Sequence, residues 1–208
     1  MLPQDNVAQT RERHALLALQ VALLILLSLV GAQRPARAAE SATSPAMKKL
    51  FQAFVGDWTV LEAFEQNEFF LNGGARTGTA RFTVGTGGTS LIEDYHSDGS
   101  AGKLDFLMVI WWDANAKLYR VFTCSNGSRN PGKLRGTAHW GVGTFVNDYD
   151  GVVNRKNRRF QDRFSDLTAR SFTLVAGIYT DSKAFEPLIT TKYKREVQRR
   201  GSTPAWMM

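Results

Sequence analysis

Residues 55–64 read Val55-Gly56-Asp57-Trp58-Thr59-Val60-Leu61-Glu62-Ala63-Phe64, and the triplet Gly56-Asp57-Trp58 within them decides the fold. It stands between a short amphipathic segment and a long run of alternating strands. A glycine two residues before a tryptophan, at the entry to the first strand of an antiparallel barrel, has a structural reading. The glycine lets the chain turn closely into the strand, and the indole plugs one end. Just before it, Met47, Leu50, Phe51, Phe54 and Val55 fall on one helical stripe, so a single short helix is predicted there, ended by Gly56.

Downstream the pattern is all strand, at 58–64, 75–84, 89–96, 104–112, 117–125, 133–140, 144–149, 158–164, 170–179 and 188–195. Gly-, Asn-, Asp- and Ser-rich turns separate the runs, such as Gly85-Thr86-Gly87-Gly88 and Asp113-Ala114-Asn115-Ala116. Parallel β/α units would need a helix between strands, and the connections leave no room for one. Phe172, Leu174, Ala176 and Ile178 face one way, with Ser171 and Thr173 opposite, as a strand with one buried face requires. Leu104–Trp112 (LDFLMVIWW) is apolar on both faces, so either Leu107/Val109/Trp111 or Phe106/Met108/Ile110/Trp112 points inward. A closed, even-numbered barrel would leave no unpaired edge in a domain without covering helices.

Upstream, Arg11 and Arg13 precede the apolar stretch Ala15–Val30, and Ala36-Arg37-Ala38 supplies small residues at the two positions a signal peptidase reads. The stretch is shorter than the roughly 20 residues of a spanning helix. Residues 1–38 therefore read as a signal peptide cleaved after Ala38, which predicts a periplasmic or secreted product without stable membrane insertion. Residues 39–46 read as a linker, 47–197 as the barrel domain and 198–208 as a flexible tail. Beyond residue 38 the chain carries 22 basic and 17 acidic residues, a mild and dispersed positive charge. Its densest cluster, Arg155-Lys156-Asn157-Arg158-Arg159, lacks the interleaved aromatics of a nucleic-acid reader and reads as a solvated hairpin tip, so no nucleic-acid partner is predicted. The one cysteine, Cys124, precludes an internal disulfide and reads as a small buried hydrophobe.

The order of these features resembles a bacterial domain family of unknown function with a lipocalin-like (calycin) barrel. The features are the amphipathic helix, Gly56-Asp57-Trp58, Gly87-Gly88 leading to Glu93-Asp94-Tyr95, Trp112-Asp113, then Lys117-Leu118-Tyr119 and a basic last strand. The resemblance spans about residues 47–195. It implies an all-β fold, an antiparallel up-and-down lipocalin-like barrel of about 8–10 strands with one short N-terminal helix. It also implies that Arg195, with Lys194 second, covers Trp58 as a structural cation–π cap. The chain departs from haem-binding nitrobindin-type barrels, which use a His near the C-terminal strands, because no His follows His139. No cofactor and no metal are predicted.

His96 and His139 are the only histidines beyond residue 38, and both read as polar residues near strand ends rather than ligands. Glu93 and Asp94 are sequence neighbours, so they point to opposite faces and cannot form a facing carboxylate pair. Asp148 and Asp150 share a face but flank a turn. The aromatics suffice to line a cavity or simply to fill a core. The reading that follows is a barrel binding a small apolar or amphipathic molecule in its interior, with Tyr95, Met108, Trp111, Trp112, Phe122, His139 and Trp140 as ligand-binding candidates. Gly56, Trp58 and Arg195 are assigned structural roles. Two alternatives stay open: an enzyme with a barrel-mouth site on His96 and Glu93/Asp94, and a ligand-free interaction scaffold. The sequence leaves the oligomeric state open.

Overall fold

The computed structural model describes residues 43–68, 70–127, 134–153 and 155–196. The proposed signal segment and the C-terminal tail lie outside them. One helix, α1 (Pro45–Phe54), leads into ten strands: β1 (Gly56–Phe64), β2 (Gly74–Val84), β3 (Ser90–Gly99), β4 (Leu104–Asp113), β5 (Leu118–Ser125), β6 (Leu134–Trp140), β7 (Phe145–Val153), β8 (Lys156–Ser165), β9 (Ser171–Tyr179) and β10 (Phe185–Arg195). Each strand pairs antiparallel with the next, and β1 pairs with β10, closing the barrel.

The helix begins two residues before the apolar stripe, because Ser44 accepts from the Met47 amide as its N-cap and Pro45 supplies the preset first turn. Strand β7 runs on to Val153 and β8 starts at Lys156, so most of the basic cluster lies in a strand rather than in a loop. Arg158 is held by Asp181, and Arg159 donates to Asp148. Cys124 points outward and is half-buried, contrary to its reading as a core residue.

A ten-strand barrel is wider than the eight-strand barrels whose interiors side chains just fill. The chain fills one end with α1. Met47, Leu50 and Phe54 are buried there, and the Phe54 ring packs on Phe82, Phe145, Phe164 and Phe172 at 5.3–5.8 Å. Trp58 Nε1 donates to the Phe54 carbonyl at 2.8 Å, tying helix to strand. The Arg195 guanidinium lies 4.2 Å from the Trp58 ring and donates to the carbonyls of Val55 and Ala169 at 2.7 Å. Gly56 has φ +145°, and a Cβ there would collide with Arg195 Nη1. This closed end takes the turns after β2, β4, β6 and β8. The opposite mouth takes the β1–β2 loop and the turns after β3, β5, β7 and β9.

Candidate functional site

Alternation selects which side chains enter the barrel. On β4 it is Met108 and Ile110, with Phe106 and Trp112 on the same face, while Leu107 and Trp111 are exposed. Toward the mouth the interior turns from aromatic to polar. On β1, the face carrying Trp58 and Val60 continues to Glu62, which register sets opposite Arg76 of β2. Arg76 donates to Glu62 from Nε at 2.6 Å and from Nη2 at 3.2 Å, and Ser97 Oγ adds a bond at 3.0 Å. The pair is 4 % and 7 % exposed, a buried fork whose hydrogen bonds offset its desolvation. Glu93, 1 % exposed, accepts from Tyr193 Oη at 3.2 Å, and burial pushes its carboxyl up to about 8. Tyr95 stacks on Phe106 at 4.4 Å, and its buried hydroxyl lies beside Glu62 and Ser97 without completing a hydrogen bond.

The facing wall is built on β7 and β8, where register sets Asn147 opposite Asp162. Asn147 Nδ2 donates to Asp162 at 3.0 Å, and Tyr149 Oη donates at 3.4 Å while its ring stacks on Phe160. Asp162 keeps some solvent contact, yet desolvation raises it to about 6. Asn147 is 4 % exposed, and its Oδ1 has no partner. The oxygen lies over Gly136, where any side chain would displace it. Val121, Thr123, Gly136, Asn147 and Tyr149 line a hollow of about 50 Å³.

Of the residues nominated from sequence, Tyr95 and Met108 face this mouth-side interior. Trp112 and Trp140 face inward at the closed end, where Trp140 Nε1 donates to Tyr119 Oη and Lys49 covers its ring. Trp111, Phe122 and His139 lie on the outer face and do not line the interior, because one-residue alternation sets each opposite an inward neighbour. The barrel-mouth enzyme site is not assembled. Glu93 is inside, whereas His96 is 57 % exposed on the outer wall between Asp94 (3.1 Å) and Asp105 (2.9 Å). Asp148 is likewise outward, bonded to Arg159 and Gln161. Among the described residues no three His, Cys, Asp or Glu side chains cluster as a metal site, and no helix is long and apolar enough to cross a membrane.

Sequence reasoning missed Glu62, Arg76, Asn147, Tyr149, Asp162 and Tyr193. The signal for Glu62 was present: a carboxylate at the third position of the face that starts with Trp58, in period-two step with Val60 and Phe64. Asn147 and Asp162 carry no such local mark, since only the β7–β8 register brings them together.

No family model matches the chain, and no curated protein matches it. Among solved structures it is similar to the S-type phycobiliprotein lyase CPES from Guillardia theta, with a TM-score of 0.52 at 12% identity, covering 73% of this chain and 93% of that one. It is also similar to Rv2717c from M. tuberculosis, with a TM-score of 0.51 at 10% identity, covering 74% and 99%. At such identities the likeness is one of fold, and the fold it shows is the lipocalin-like antiparallel barrel.

Proposed function

We propose that this chain is a small-molecule-binding barrel, a divergent member of the bacterial lipocalin-like family its motifs resemble. It holds an amphipathic ligand in the mouth-side half of its interior. The observation that carries the reading is the hollow beside Asn147, whose fully buried Oδ1 lacks a partner. A buried acceptor left unmade costs about 1–3 kcal/mol, so an occupant with a donor relieves a penalty the empty protein bears. The named relative that is a phycobiliprotein lyase lends the reading a precedent in one barrel of this shape. The interior is polar rather than apolar on this side, so the ligand is amphipathic, contacting Tyr95 and Met108 as well as the polar walls. The signal-like N-terminus supports a periplasmic or secreted setting.

The test is native mass spectrometry of the purified chain, with solvent extraction of bound material and displacement of a fluorescent fatty acid. The expected result is a bound or displaceable small molecule, lost in Thr123→Trp, which fills the hollow. Absence of any such molecule overturns the reading. Cell fractionation of the expressed chain tests the setting, with the periplasmic fraction or the medium as the expected location.

A further inference from the structure

The inner wall between the Trp58 layer and the mouth carries three carboxyl groups, Glu62, Glu93 and Asp162, against one guanidinium, Arg76, among the described residues. Glu62 is saturated: Arg76 forks onto both its oxygens and Ser97 adds a third bond. Arg158, at the mouth, is engaged by Asp181. That leaves Asp162 on β8 and Glu93 on β3, half the barrel's circumference apart. Asp162 receives only an amide N–H and a long phenol hydrogen bond. The amide orientation is dictated by that carboxylate: Asp162 accepts, so Asn147 turns Nδ2 toward it and is left presenting Oδ1 over Gly136. The hollow is therefore bordered by one unfilled acceptor, Asn147 Oδ1, with Asp162 behind the Asn147 and Tyr149 side chains that line it and bond that carboxylate.

We infer that the group recognised in this hollow is a protonated primary amine, the head of an alkylamine-type amphiphile. The inference rests on the interior-binding reading above and specifies its chemistry. An ammonium brings three donors and no acceptor. It would fill the open valence of Asn147 Oδ1 and place a positive charge within reach of Asp162, the carboxylate that Asn147 and Tyr149 bond. A carboxylate head meets the reverse, a like charge near Asp162. A volume of about 50 Å³ exceeds the roughly 30 Å³ share of one water and falls far below the ~300–1,000 Å³ of a drug-sized pocket, so it seats a head group and not a whole ligand. Met108, unbranched and adaptable, and Leu174 stand on the same inner face for the tail.

The test is isothermal titration calorimetry of the full, unmodified chain at pH 7.5 with three probes of equal length: n-hexylamine, n-hexanol and sodium hexanoate. The expected order is amine over alcohol over carboxylate, the amine tighter than the alcohol by about tenfold or more, as charge-assisted bonds to a buried carboxylate imply. Asp162→Asn should reduce the amine-to-alcohol affinity ratio by about tenfold. Alcohol or carboxylate binding as tightly as amine overturns this inference and leaves the interior-binding reading standing. Silence from all three probes overturns both. The head-group series uses the native chain, so a variant that fails to fold does not remove the test.

Discussion

At the scale of single residues, two side chains carry measurable consequences. Gly56 holds φ +145° directly beneath the Arg195 guanidinium. Gly56→Ala must strain the backbone and displace the cation from Trp58, so chemical denaturation should show a loss of about 1–3 kcal/mol. Glu93 is the second. Burial holds its carboxyl at about 8 against an ordinary 4.5, so the folded protein keeps a proton that the unfolded chain releases. The sign follows: the contribution of Glu93 to stability is complete below about 4.5 and is lost as pH rises through 8. Asp162, raised to about 6 from 3.8, adds a decline in the lower part of that window. Glu93→Gln should flatten the decline between pH 6 and 9 in urea titrations. An unchanged slope would remove Glu93 as its source.

At the scale of elements, α1 and the β1–β2 pair bear opposite kinds of load. Phe54 is the point where helix and barrel meet five aromatic rings, Trp140 included. Phe54→Ala should cost about 3–5 kcal/mol and make the closed end bind a hydrophobic dye, measured by denaturation and dye fluorescence. The Glu62–Arg76 fork behaves differently. Arg76→Met strands a buried carboxylate and should cost about 3–5 kcal/mol, whereas the double variant Glu62→Met, Arg76→Met should recover most of the loss. Strands and helix were legible because period-two and helical repeats are local, and all ten runs named from sequence appear as strands. The inner face of β9 was legible for the same reason: Phe172 to Ile178 alternate cleanly. On β4, apolar residues on both sides left the choice of face undetermined until the β3 and β5 registers fixed it. The candidate site was the least legible part. Asn147 and Asp162 lie 15 residues apart, and no pattern along the chain says that register makes them partners.

At the scale of the whole molecule, closure by the β1–β10 pairing leaves no edge strand to fray. Unfolding should be a single transition, with tryptophan fluorescence and far-ultraviolet circular dichroism coincident in urea; separated transitions would show that the helix-plugged half and the polar half melt apart. The same pairing sets a polarity. Thr43 lies against Gly88, and the Glu196 amide donates to the Asp57 carbonyl, so both ends of the described chain leave from the helix-plugged pole. A support or fusion partner joined directly at residue 43 or residue 196 would therefore start from behind the barrel. The mouth of the described barrel would face away from that junction, at whichever of the two residues it was made.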